Sequence, residues 1–202
     1  MHPEQMDRLY QLPGFYWGME PNRLAYSLLE TLPSLQGKTV VDLGCGEGRD
    51  AVYFAKNGLN VMAVDLSQTG LKKAKHWAET EGVSLTTVQA DLLSYRMDTM
   101  VDAVYSIGVL HYLPPEIRPN TFGHYKAMTR SGGIHAFNVF VEKPYIPVPP
   151  DYAENEYFYR TGELLQYYWD WEIISFAEFV FDCNSSGIPH RHAVNVMLAR
   201  KI

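Results

Sequence analysis

The stretch VVDLGCGEGRDAVYFAKNGLNVMAVDLS, residues 40–67, constrains the fold more than any other part of the chain. It reads as an apolar strand, a glycine loop, a helix, a second apolar strand and a terminal acid. The helix GRDAVYFAKNG is stopped by Asn57 and Gly58. Strands this uniformly apolar are buried on both faces, and a parallel sheet covered by helices provides that.

The alternation continues downstream. Ser67 caps a helix, QTGLKKAKHWAETEG, whose Leu71, Ala74 and Ala78 share a face and which Gly82 ends. SLTTVQADL is a third strand and VDAVYSIGVL a fourth. Pro114 and Pro115 open a helix that runs to RSGG, and IHAFNVFV is a fifth strand. WEIISFAEFVF and RHAVNVMLARKI are joined only by DCNSSGIPH. That connection is too short for a crossover helix, so the last pair is an antiparallel hairpin. Upstream, a helix is expected over residues 22–32. Pro13, Gly14, Gly18 and Pro21 make the residues before it an irregular arm. The expected organisation is one domain over residues 1–202, with an arm and helix to 36, a core over 37–141, and an insert plus hairpin over 142–202.

A chain of 202 residues, 47% of them hydrophobic, can bury a sizeable core. Its net charge of -6 disfavours phosphate backbones, so no nucleic-acid partner is expected. No stretch approaches the roughly 20 apolar residues of a bilayer span, and no signal peptide is read at the N-terminus. Two cysteines, Cys45 and Cys183, are too few for a disulfide scaffold, and a reducing cytoplasm is the expected compartment. The sequence leaves the oligomeric state open.

A strand–loop–helix–strand unit of this kind holds a dinucleotide, a mononucleotide or S-adenosylmethionine. Here the loop is Gly44-Cys45-Gly46-Glu47-Gly48. Its third glycine comes one residue early for the nicotinamide fingerprint, and Arg49 stands where that pattern wants glycine. The phosphate-cradling loop that ends in lysine is absent. Asp42 precedes the loop and Glu47 sits at the helix start, where carboxylates repel a pyrophosphate but suit a sulfonium and an ammonium. Asp65, at the end of the second strand, is placed for ribose hydroxyls. Asp91, with the Leu92 backbone N–H, is placed for adenine.

The set Asp42, Gly44, Gly46, Gly48, Asp65 and Asp91 resembles the Rossmann-like class I S-adenosylmethionine-dependent methyltransferases, whose signature also includes the closing antiparallel hairpin. More narrowly, DLGCGEGRDAVYFAKNGLNVMAVD, TGELLQYYWDWEI and HAVNVMLARK are similar to the tellurite-resistance methyltransferase (TehB-like) family. This resemblance implies a mostly parallel seven-stranded sheet with helices on both faces, S-adenosylmethionine as cofactor, and a small-molecule methyl acceptor. The acceptor is a tellurium or selenium compound or another reactive small molecule. A non-catalytic S-adenosylmethionine-binding module is the alternative, and a nicotinamide-dependent oxidoreductase a more distant one.

Direct methyl transfer asks the protein to position a nucleophile and exclude water. Acceptors bind beyond the carboxyl ends of parallel strands. In IGVLHYLPP, Val109 is expected along the cofactor and His111 as a base or orienter, since imidazole titrates near neutrality. The family resemblance implies a His-Arg pair that matches His190 and Arg191, suited to an oxyanion. Tyr16 and Trp17 are expected as a lid over the cofactor, with Cys45 and Leu66 beside it. In the insert, Tyr145, Tyr152, Tyr157, Phe158 and Tyr159 are candidate pocket walls. Cys183, His190 and His192 match no strong zinc spacing, so no metal site is expected.

Overall fold

The computed structural model describes residues 3–150, 152–185 and 187–202. Met1, His2, Asp151 and Ser186, which belong to the arm, the insert and the hairpin loop, lie outside the described residues. The elements are α1 (Pro3–Tyr10), α2 (Arg23–Thr31), β1 (Thr39–Leu43), α3 (Arg49–Lys56), β2 (Asn60–Asp65), α4 (Gln68–Thr80), β3 (Thr86–Gln89), β4 (Val101–Ile107), a short 3-10 turn (Leu110–Tyr112), α5 (Arg118–Ala127), β5 (Thr129–Val141), α6 (Glu163–Gln166), β6 (Glu172–Cys183) and β7 (His190–Arg200).

The sheet runs β3-β2-β1-β4-β5-β7-β6. β1 to β5 are mutually parallel, and β7 lies antiparallel between β5 and β6. The chain winds outward from β1 to β3, then returns to place β4 on the other side of β1. The loops after β1 and β4 therefore leave in opposite directions and open a crevice at their carboxyl ends.

Strand alternation sends neighbouring side chains into separate cores. Val40 and Ala103 pack with Leu24 and Leu28 of α2 and with Phe54 of α3, whereas Val41 and Val104 pack with Phe122 and Tyr125 of α5. Ser67 caps α4 as expected, its side chain accepting from the Gly70 N–H at 3.0 Å. Among the described residues no helix is long and apolar enough to cross a membrane.

Three segments differ from expectation. Residues of the arm form α1, whose Met6, Leu9 and Tyr10 carry the helical spacing that the prolines and glycines downstream obscured. The helix expected from Pro114 starts at Arg118 and ends at Ala127. RSGG lies inside β5, because Thr129 pairs with Val101 before a bulge shifts the register to Ile134 opposite Ala103. The segment GELLQ forms the four-residue α6.

The insert is anchored by one buried cation. Arg118 is fully buried, its guanidinium 3.7 Å from the Tyr159 ring centroid. It donates to Leu113 O at 3.0 Å, to Glu163 at 2.6 Å and to Tyr157 O. Burial alone would raise Glu163, but the Arg160 N–H and Arg118 outweigh it and hold the carboxyl below its ordinary range.

His135 sits in the β5 core, with Thr129 Oγ1 at 2.8 Å from Nε2 and Tyr168 OH at 2.6 Å from Nδ1. Burial pushes its pKa well below the ordinary value, and does the same to His111. The folded state therefore keeps both rings neutral, while the unfolded chain takes up protons below about pH 6.5. Their contribution to stability is complete above that pH and declines as the pH falls. Each residue should remove up to about 1.4 kcal/mol between pH 7.5 and 5.5. Urea unfolding at the two pH values measures the loss, and His135→Gln should remove that residue's share of it. An unchanged slope in that variant would mean other groups govern acid sensitivity.

Candidate functional site

A cavity of about 1050 Å³ opens at the carboxyl ends of β1, β2, β3 and β4 and continues to β6 and β7. Of the expected cofactor residues, Trp17, Asp42, Gly44, Cys45, Gly46, Asp65, Leu66, Asp91, Leu92 and Val109 line it, as does His111. Gly48, Tyr16, His190 and Arg191 are not on its wall. Gly48 lies behind it against α4, and Tyr16 instead donates its hydroxyl to Ser185 O at 2.8 Å. That bond ties the arm to the hairpin loop.

Asp65 ends β2 with one oxygen accepting from Gly46 N at 2.8 Å and the other from Ser67 N at 2.7 Å. The terminal acid thus clamps the glycine loop to the start of α4. Gly44 is needed for close approach, since a Cβ there would fall 2.5 Å from Val109 Cγ2. Burial, together with the Asp50 and Asp65 charges, pushes Asp42 well above the ordinary carboxylate range against the pull of Arg49. Burial also raises Asp65, although backbone N–H groups pull the other way. Burial thus disfavours the charged forms of both acids, and a cation bound at this end of the cavity would favour them. Burial keeps the Cys45 thiol protonated by raising its pKa.

Glu47 lines the cavity, and its carboxylate is already engaged by the protein. It is 3% exposed, pairs with Lys73 at 2.7 Å and accepts from Tyr16 N at 2.7 Å. Lys73 also donates to Leu12 O at 2.8 Å and Gly14 O at 2.6 Å. Together they staple the arm beside the cavity mouth. Lys73→Ala is expected to speed proteolysis of the arm around residues 11–18 about tenfold or more, through lost charge-assisted bonds of about 1.5–3 kcal/mol. A cleavage time course reads this, and an unchanged rate would assign the anchoring to α1 alone.

Residues that sequence reasoning missed come from the arm and the insert. Tyr10 is 5% exposed, and its hydroxyl accepts from Trp17 Nε1 at 3.2 Å. Asp7 accepts from Ser67 Oγ at 2.5 Å and Thr69 Oγ1 at 3.3 Å. Asp50 accepts from Asn22 N at 2.7 Å and from the buried Tyr105 hydroxyl at 3.0 Å. From the insert, Asn155 and Glu156 reach the cavity, beside Tyr157, which was expected as a pocket wall. Tyr159 packs in the core, while Tyr152 and Phe158 line a separate groove with Arg191.

His111 is 2% exposed and ringed by Tyr112, Phe140 and Phe158 at 4.4, 4.8 and 5.9 Å between centroids. Its Nε2 stands 3.8 Å from Glu156, and its Nδ1 has no hydrogen-bond partner among the described residues. Burial keeps this imidazole neutral and weakens it as a base, contrary to the expectation that it titrates near neutrality, so its place on the wall suits an orienter better. His190 and Arg191, expected as a pair, are separated by strand alternation. His190 joins His192 on one face at 2.9 Å between Nε2 atoms, and Arg191 points to the other groove.

The topology, closing hairpin and acid-lined crevice define the Rossmann-like class I methyltransferase fold. A family model described as "Tellurite resistance protein TehB" matches residues 22–187, and the chain belongs to that family. It is 27% identical over 167 residues to the "Probable S-adenosyl-L-methionine-dependent methyltransferase TehB" of Haemophilus influenzae, covering 80% of this chain and 57% of that one. The chain thus spans little more than half the length of that relative. The crystal structure of Haemophilus influenzae TehB superposes with a TM-score of 0.79 at 21% identity, over 98% of this chain and 66% of the other. A Burkholderia thailandensis 1,6-didemethyltoxoflavin-N1-methyltransferase, solved with S-adenosylhomocysteine and its substrate, superposes at 0.65 and 22% identity over 88% of this chain and 76% of the other.

Proposed function

We propose that this chain is an S-adenosylmethionine-dependent methyltransferase acting on a small molecule with a soft nucleophilic atom, tellurium or selenium oxyanions being the leading candidates. The observation that carries this reading is a single cavity with an acidic end at Asp42, Asp65 and Asp91 and a histidine- and cysteine-bearing end at His111, His192 and Cys183. The acidic end fits a ligand with two cationic centres and no phosphate. Asp65 would hold ribose hydroxyls, Asp91 and Leu92 the adenine, and Asp42 with the Gly44–Gly46 turn the amino-acid portion. When bound, the cofactor supplies a methyl carbon activated by its sulfonium.

The remaining work belongs to the chain's own residues. Trp17 and the stapled arm cover the cavity mouth and limit water entry. His111, kept neutral by burial, orients the acceptor and serves as a base only if the bound ligand raises its pKa. Val109 and Tyr112 line the same cavity.

The test has two parts. Thermal protection by S-adenosylmethionine but not by a nicotinamide dinucleotide supports the cofactor assignment. Methyl transfer from labelled cofactor to selenite, tellurite or a small thiol, read by mass analysis of the product, supports catalysis. Tight cofactor binding with no transfer to any of these would favour the non-catalytic binding module.

A further inference from the structure

Cys183 is the last residue of β6 and His190 the first of β7, and the antiparallel register sets them directly opposite each other. Directly opposed residues share a face of the sheet. His192, two residues further along β7, returns to that same face. As a result Cys183 Sγ and one ring nitrogen from each histidine lie within 4.8 Å of one another. No linear zinc motif has the spacing Cys-x6-His-x-His, which is why the sequence expectation was of no metal. Strand pairing, not spacing, assembles the group.

His190 is also pre-set in the tautomer and orientation that a metal ligand needs. His190 Nδ1 lies 2.7 Å from Ile188 O. A carbonyl only accepts, so Nδ1 carries the proton and Nε2 of the neutral ring presents its lone pair toward the cluster. A backbone carbonyl holding the distal N–H is the usual outer support of a metal-bound histidine. His192 is held by stacking on Phe140, at 4.5 Å and 25° between rings; its Nε2–H donates to His190 Nε2 in the metal-free protein, and an ion takes that place when the proton moves to Nδ1. Cys183 and His192 line the large cavity, so one side of the cluster opens into it.

The geometry points to a three-ligand site for a thiophilic metal ion of the zinc class, made by Cys183, His190 and His192, with its remaining coordination position facing the cavity. One thiolate and two imidazoles form a donor set suited to Zn²⁺ or Cu⁺. Around a tetrahedral zinc the ligand atoms would stand about 3.3–3.6 Å apart. The present separations, 2.9 Å between the two Nε2 atoms and at most 4.8 Å within the cluster, reach that by small side-chain rotations. Binding of the ion stands apart from the methyltransferase reading. If both hold, the open position offers the acceptor's soft donor atom a point of attachment.

The test uses the full chain, treated with a chelator, desalted and kept reduced with a phosphine. Zn²⁺ is titrated in competition with a chromophoric chelator, and Co²⁺ is added separately as a spectroscopic probe. The expected result is one tight equivalent of Zn²⁺ and a near-ultraviolet thiolate-to-cobalt band. Cys183→Ser should abolish that band, and Cys183→Ser and His190→Ala should each weaken Zn²⁺ binding at least tenfold. His76→Ala, on the exposed face of α4, should leave it unchanged. Circular dichroism of the metal-free variants verifies that they fold. Absence of a stoichiometric site, or Zn²⁺ affinity equal in wild type, Cys183→Ser and His190→Ala, would overturn the assignment. S-adenosylmethionine binding is measured on the same metal-free samples, so failure of either reading is seen separately.

Discussion

Gly48→Ala is expected to remove about 2–5 kcal/mol of folding stability. Gly48 precedes α3 with φ 90° and ψ 14°, a left-handed conformation that costs an L-residue roughly 1–2 kcal/mol. An added Cβ would also sit 2.6 Å from Ala74 Cβ and 2.9 Å from Ala74 Cα, and the latter is backbone of α4. Separating two packed helices in a filled core typically costs about 1–3 kcal/mol more. Against a total stability of about 5–15 kcal/mol this is a severe loss. Gly82 provides the control, because its φ is +71° but nothing lies within 4 Å of an added Cβ. Gly82→Ala should therefore lose only the backbone share. Urea unfolding of the three proteins reads the difference, and equal midpoints for the two variants would refute close packing at Gly48.

Asp65→Ala is expected to weaken S-adenosylmethionine binding roughly ten- to a hundred-fold, the consequence of losing hydrogen bonds to a charged acceptor worth about 1.5–3 kcal/mol. Two effects combine. The carboxylate is the proposed partner of the ribose, and it also holds Gly46 N and Ser67 N, so the glycine loop loses its clamp. Asp65→Asn separates them, since its single carbonyl can retain one of the two backbone bonds. Calorimetry on both variants, with melting curves to verify folding, gives the answer. Unchanged affinity in a folded Asp65→Ala protein would remove this residue from the ribose role.

Much of the fold was legible because its signals are local. Val40, Val41 and Leu43, Val61 to Val64, and Ala103 to Tyr105 place apolar side chains on both faces, and only the inside of a covered sheet accommodates that. The brevity of DCNSSGIPH dictated a hairpin, and β6 and β7 pair antiparallel. The glycine loop and strand-end acids pointed to the crevice because each stands next to a strand end in sequence as well as in space. α1 was obscured because a helix of eight residues gives few periods, and the glycines and prolines after it outweighed Met6, Leu9 and Tyr10.

The amino-acid sequence alone determined the order of the strands and of α2 to α5, the glycine turn, and the acids at the ends of β1 and β2 and after β3. Those features depend on neighbours a few residues away. The tertiary structure decided which charges remain available. Glu47, read as a ligand group, is consumed by Lys73 twenty-six residues later, and the buried Arg118 is matched by Glu163 forty-five residues later. It also decided which side chains share a face at the far end of the cavity. Adjacent in sequence, His190 and Arg191 are driven apart by the two-residue period of a strand. Cys183 and His190 are brought together by a register that no spacing rule contains. Partnerships of this kind depend on distance in space, which the chain acquires only once its sheet has formed.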